Sequence, residues 1–316
     1  MKKTFMAILA VCMSVVMACA LTGCAKFNPD KDITVVAREN SSGTREAFDT
    51  VVTDGTHFLM EKVNGEKTFY TTKKADVLNT TGAVVTKVQS DKQAIGYVSL
   101  GSVGEGVKVV KVGGILPSKA GVLDGTYKIQ RPFVVMTKHG QTLTPLAADF
   151  LNFLKSDAIE AICDSEDVGT VFLKDPAMRA NEGDAPISVS TFTKQATLPA
   201  GDKIIVRGST SMEKLIYAAA KAYAKQYNVD ATAIFNIELE GSSKGVSAVE
   251  KDTNGDVIGL SSAAVKKDAI DSFNVCLDAV AVIVNPDNDI VKDLSLAQLY
   301  DIFTGKTTKY SQLANA

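Results

Sequence analysis

Arg38, followed by Ser41-Ser42-Gly43-Thr44-Arg45, carries the chemistry of an anion site. An apolar run at residues 33–37 leads into it, and a helical pattern ending at Ala47-Phe48 leads out. A strand thus delivers the chain to a helix start where hydroxyls, free N–H groups and the positive end of the helix dipole meet. Gly43 lets the backbone come close, and Arg38 adds a planar, permanently charged fork of donors. Two more hydroxyl-rich helix starts lie downstream: Gly208-Ser209-Thr210-Ser211, after the strand-like run 203–207, and Gly241-Ser242-Ser243-Lys244-Gly245. Singly, each reads as an ordinary N-cap. Together they suit a tetrahedral oxyanion held by neutral donors and one arginine, which is chemistry for binding rather than turnover.

Catalytic constellations are hard to assemble from the same chain. Its two histidines, His57 and His139, stand outside all three motifs, so Ser42 and Ser209 have no obvious base. No Cys/His cluster has ligand spacing and the P-loop pattern is absent, so neither a metal nor a cofactor is expected and the chain reads as a non-enzyme.

The elements that must position the motifs follow a short N-terminal prelude. Met1-Lys2-Lys3, an apolar stretch over 5–21 and Leu21-Thr22-Gly23-Cys24 read as a secretory signal. A retained membrane helix is the competing reading, but the run is short for a span and ends in small residues. Removing residues 1–23 takes away Lys2 and Lys3 and no acid, so the formal net charge of −2 becomes −4. With no basic stripe and 7% aromatic residues, nucleic acid is not an expected partner. Cys163 and Cys276 then remain as thiols; buried free cysteines fit their separate apolar contexts better than a disulfide, which stays open.

From residue 32 to about 173 strand and helix signals alternate, with strands over 33–37, 94–98, 107–112 and 127–137 and helices over 44–52, 81–89 and 144–154. Residues 175–202 lack periodicity and carry Pro176, Pro186 and Pro199, as a connector does. Alternation then resumes: strand 203–207, helix 211–227, strand 232–237, helix 242–249, strands 257–260 and 276–284, and helix 296–303. The pattern is α/β, on a scale that suits two lobes.

These strings resemble the phosphate-binding proteins of high-affinity phosphate ABC transporters, a class II periplasmic-type binding-protein family. The resemblance rests on Gly208–Ser211, Gly241–Gly245, Asp278-Ala279-Val280-Ala281-Val282, Ile302-Phe303-Thr304-Gly305-Lys306, the Arg38–Arg45 motif, Ala94–Val98 and Tyr127–Pro132. Leu21–Cys24 is similar to a bacterial lipobox, which implies acylation of Cys24, residues 24–31 as a tether and anchoring to the outer face of the cell membrane. The motif order differs from the family's: the Ser-Gly-Thr-Arg half precedes the Gly-Ser-Thr-Ser half. The chain therefore resembles a circularly permuted member, with 175–202 joining the usual termini, a discontinuous lobe from 32–125 plus 287–316 and a contiguous lobe from 126–286. Duplication with loss of one half of each copy is a weaker account, because the two halves are complementary rather than homologous.

The resemblance implies a two-lobed fold with a hinge and an interlobe cleft. It also implies a monomer that captures inorganic phosphate and delivers it to an ABC permease. Its phosphate contacts carry over to Arg38, Ser42, Gly43, Thr44, Thr210, Ser211 and Ser242. Where well-studied members place an Asp that accepts the proton of monohydrogen phosphate, this chain has Ser262, and Asp278 is the nearest family-matched carboxylate that could substitute. The departure keeps sulfate, molybdate or a phosphonate open as ligands, and an anchored sensor without transport open as a role. Arg45 is expected to pair with a carboxylate behind the site, and Tyr97 and Arg131 to serve as core and hinge residues.

Overall fold

A computed structural model describes residues 26–181 and 183–315. The signal-like segment and Cys24 lie outside the described residues. Among the described residues no helix is long and apolar enough to cross a membrane.

The strands that matter for the site are β1 (Thr34–Arg38), β2 (Asp76–Leu78), β3 (Ala94–Ser99), β4 (Gln130–Lys138), β5 (Ile204–Gly208), β6 (Phe235–Leu239), β7 (Val257–Ser261) and β8 (Ile270–Val284). They lie side by side in the order β6-β5-β7-β4-β8-β3-β1-β2, within a sheet of eleven strands among the described residues. β1 runs parallel to β2 and β3, and β5 parallel to β6 and β7, as crossover connections through helices require. The two parallel groups are joined by antiparallel β4 and β8.

Two large hydrophobic cores divide along these strands. One gathers residues from Phe133 to Cys276, the other residues from Val35 to Ile129 and from Ala279 to Tyr310. The border falls where β4 and β8 pair Arg131 with Asp278. β8 is fifteen residues long and serves both halves: its first part pairs with β4 and its last part with β3. The apolar run alone begins this strand at Cys276. Asp271, Ser272 and Asn274 hide its first half from a hydropathy reading, although the β4 ladder carries them as strand.

Four of the six helices named here begin on side-chain caps. Ser42 caps α1 (Gly43–Asp49), accepting from the backbone N–H groups of Thr44 and Arg45. Thr80 caps α2 (Thr81–Ser90), and Thr144 caps α3 (Pro145–Lys155) with proline in its first turn. α4 (Glu213–Gln226) follows a single 3₁₀ turn at Thr210–Met212, and α5 (Ser242–Glu250) starts at Gly241. Ser295 and Gln298 form a reciprocal capping box on α6 (Leu296–Thr304). One expectation is corrected here. Residues 231–234 are helical rather than strand, because the Asp230 carboxylate caps the Thr232 N–H at 2.7 Å and β6 begins only at Phe235.

Among the described residues of 175–202 there is one short helix, Pro176–Arg179, and the rest are irregular. They are packed down: Phe192 stands edge-on to Phe153 at 5.2 Å, and Arg179 is fully buried, donating to the Leu173 and Lys155 carbonyls. Cys163 and Cys276 are free thiols within one core.

Candidate functional site

Each motif sits where a strand ends and a helix begins. Arg38 closes β1, and Ser42, Gly43 and Thr44 open α1. Thr210 and Ser211 form the turn between β5 and α4, Ser242 opens α5, and Ser262 follows β7. All these side chains are buried.

The structure brings the two walls into contact. Thr44 Oγ1 lies 3.0 Å from Ser211 Oγ. Within the second wall, Ser209 Oγ donates to Ser262 Oγ at 2.9 Å and the Ser262 N–H donates to Ser242 Oγ at 3.1 Å. At Gly43 a Cβ would stand 2.5 Å from the Ser262 carbonyl carbon, so only glycine allows this approach. A cleft of about 480 Å³ opens beside Gly43 and Ser242, lined by Asn40, Ser41, Ser243 and Ser261 among others. Lys67 and Lys267 at its edge are neutralised by Glu46 and Glu250.

Arg38 is almost fully engaged. Its Nε donates to Glu39 Oε2 and the Leu78 carbonyl, its Nη2 to Glu39 Oε1 and the Asn79 carbonyl, and its Nη1 to Thr81 Oγ1 at 3.2 Å. A guanidinium has five N–H bonds, so the spare one is on Nη1. That edge faces the hydroxyls, because Thr81 Oγ1 is also 3.1 Å from Thr210 Oγ1 and 3.3 Å from Ser211 Oγ.

Thr81 is the residue that sequence reasoning missed. It is buried, its N–H donates to Thr210 Oγ1, and it opens a ten-residue helix. The signal was legible: Asn79-Thr80-Thr81-Gly82 is a hydroxyl-rich helix start of the same kind as the three singled out. Ser209 and Glu39 join the cluster as neighbours of motif residues.

Asp278 does not join it. Its Oδ2 accepts from Arg131 Nε at 3.1 Å and Nη2 at 2.9 Å, and its Oδ1 accepts from Ser99 at 2.7 Å. Burial pushes the Asp278 carboxyl up and pulls the Arg131 guanidinium down, and each partner opposes the other's shift. The expected acceptor is therefore the buried half of an ion pair at the border between the cores. Arg45 has its carboxylate behind the site: Nε donates to Asp49 at 2.9 Å and Nη1 to the Arg38 carbonyl at 2.8 Å. Burial raises the Asp49 pKa to about 6 despite Arg45. Tyr97 stacks on Phe48 at 4.1 Å and accepts from the Arg38 N–H.

Arg38, Arg45 and Arg131 are thus each balanced by a carboxylate. Such a site offers convergent hydroxyls, N–H groups and helix starts rather than excess charge.

Fold and site together define a two-walled binding protein, and sequence comparison agrees: the model of the PBP superfamily domain matches residues 19–158 and 193–316, so the chain belongs to that superfamily. Among curated relatives it is 33% identical over 293 residues to the phosphate-binding protein PstS 2 of Streptococcus pneumoniae serotype 4, covering 92% of this chain and 90% of that one. It is 30% identical over 146 residues to the phosphate-binding protein PstS of Bacillus subtilis, covering 45% and 47%. The crystal structure of a phosphate-binding protein of a Streptococcus pneumoniae phosphate ABC transporter superposes with a TM-score of 0.60 at 32% identity, covering 89% of this chain and 99% of that one.

Proposed function

We propose that this chain is an extracytoplasmic receptor that captures inorganic phosphate between two lobes and delivers it to an ABC permease. The observation that carries the reading is the convergence of Thr44, Thr81, Thr210 and Ser211 hydroxyls, from opposite walls, on the free edge of Arg38. Phosphate would take over the hydroxyl contacts that now run from wall to wall, together with the N–H groups at the start of α1. Between closed walls, with water excluded, each of these bonds is stronger than in solvent. Opening about the β4–β8 border would return the ion.

The lobes we assign are 126–286 and 32–125 plus 287–316, hinged where Arg131 meets Asp278. Circular permutation accounts for the motif order. The match to the Bacillus subtilis relative is confined to about half of each chain, as a permuted pair would give, whereas the Streptococcus pneumoniae relative aligns over 92% of this chain, so that relative would share the permuted order. We further propose cleavage before Cys24, acylation of that cysteine, residues 24–31 as tether, and a monomer acting without catalysis or nucleic acid.

A second reading, capture or sensing of another oxyanion such as sulfate, molybdate or a phosphonate, is favoured by one observation. Ser262 can donate as readily as it accepts. Calorimetric titration of the purified protein with phosphate, and with sulfate as control, separates the two: one-to-one phosphate binding with weak sulfate heat supports phosphate capture, and the reverse supports the alternative.

A further inference from the structure

Asp149 is a buried carboxylate with no cation beside it. It lies on the second turn of α3, is only 6% exposed, and no arginine, lysine or histidine among the described residues pairs with it. Asp49 and Asp278, which are also buried, have Arg45 and Arg131. An ionised carboxylate taken out of water without a partner is costly, so its surroundings must compensate it. Here they compensate one oxygen. Oδ2 accepts from Tyr223 Oη at 2.8 Å and from Tyr227 Oη at 2.6 Å. Burial, and after it the carboxylate itself, pushes both phenols up, so each keeps the proton it donates. Oδ1 accepts no hydrogen bond among the described residues and is the acceptor left for a ligand.

The carboxylate lines a groove. It is a pocket of about 490 Å³ between α3 and residues 195–199, within the range of small-molecule sites. Pro145, Ala148 and Pro199 give it an aliphatic wall, and Asn152, Gln195 and Thr197 carry acceptor oxygens along it. The Gln195 N–H donates to Tyr227 Oη at 3.1 Å, so the network that holds the carboxylate also holds the far side of the groove. Lys194, next along the chain, does not serve as counter-ion. Its Nζ donates to the Gln226 carbonyl at 2.7 Å and stands over the Tyr227 ring.

We propose that this groove binds a small aliphatic primary amine, its ammonium donating to Asp149 Oδ1 and its stem lying along Pro145, Ala148 and Pro199. An ammonium has three donors and no acceptor, which suits one charged oxygen flanked by neutral acceptors. A neutral alcohol would leave the carboxylate charge unbalanced. A divalent metal asks for several oxygen ligands, and no group of three His, Cys, Asp or Glu residues able to hold one occurs among the described residues. The groove shares no residue with the anion cleft, so the inference stands apart from the phosphate reading.

The test is an NMR titration of the purified protein with butylammonium, with n-butanol as the uncharged control at the same ionic strength. The wild type should bind butylammonium at one site and n-butanol at least about tenfold more weakly. Asp149→Asn keeps an oxygen that accepts from the tyrosines but loses the charge. It should bind butylammonium about tenfold or more weakly while its melting temperature holds. Backbone amide shifts in the wild type should centre on residues 148–152 and 195–199. A wild type that ignores butylammonium, binds n-butanol equally well, or shifts elsewhere overturns the proposal, as does undiminished binding in a folded Asp149→Asn. If that variant does not fold, the wild-type shift map and the n-butanol comparison decide.

Discussion

The two walls of the cleft are built from the same device, a hydroxyl-rich helix start after a parallel strand, yet they differ in charge. The wall formed by β1, α1 and α2 carries Arg38 and, behind it, Arg45, each matched to a carboxylate. The facing wall offers Ser209, Thr210, Ser211, Ser242 and Ser262, which are neutral. The difference teaches a division of labour. On the proposed reading the charged wall holds, in Arg38, a donor whose removal leaves a carboxylate without its partner, whereas the neutral wall supplies hydroxyl bonds that cost little to desolvate.

The comparison can be broken first at Arg38. Arg38→Ala should weaken phosphate binding by about 3 kcal/mol or more, a hundredfold or greater loss, because a charge-assisted bond disappears and Glu39 is left without its partner. Calorimetry checks this, and a loss no larger than that of a single hydroxyl on the neutral wall would erase the distinction between the walls.

Asp49, behind the charged wall, sharpens it through pH. Its folded pKa is about 6 against an ordinary 3.8, so between about pH 4 and pH 6 the folded chain binds more proton than the unfolded one. Stability from this group is therefore fully present below about pH 4 and is lost as pH rises through about 6. Asp49→Asn should flatten the unfolding free energy across that window by up to about 3 kcal/mol. Denaturant melts at several pH values that stay parallel for the two proteins would refute it.

Where the walls meet, Gly43→Ala places a methyl against the Ser262 backbone, which cannot rotate away, and should weaken phosphate by about 1–3 kcal/mol while leaving the melting temperature nearly unchanged. Small-angle scattering with saturating phosphate should show this variant more open than the wild type. The smallest effect is expected at Thr81→Val, about 0.5–1.5 kcal/mol in phosphate affinity, as one neutral hydroxyl is removed at constant shape. No change there would leave Thr81 as a helix-start residue alone.

Much of this was legible in the residues. Strand-then-helix alternation placed β1, β5, α5 and the start of α1 within a residue of their observed bounds, while α1 ends three residues before the expected residue 52; buried parallel strands are continuous apolar runs, and the start of α1 carries its own cap. Arg45 and its carboxylate lie four residues apart on one helix, a spacing that can be read directly. What was hidden depends on tertiary pairing. The polar first half of β8 is strand only because β4 accompanies it, and Asp278 is occupied only because Arg131 is opposite it in that ladder. Thr81 was overlooked although its signal was local, since its meeting with Thr210 spans 129 residues of sequence.

The most direct test of the central claim is the crystal structure of the protein grown with phosphate. The account predicts one phosphate between the walls, accepting from Arg38 Nη1, the Thr44 N–H and the Ser211 and Ser242 hydroxyls. A phosphate bound on one wall alone, or in contact with neither Arg38 nor Ser211, would contradict it.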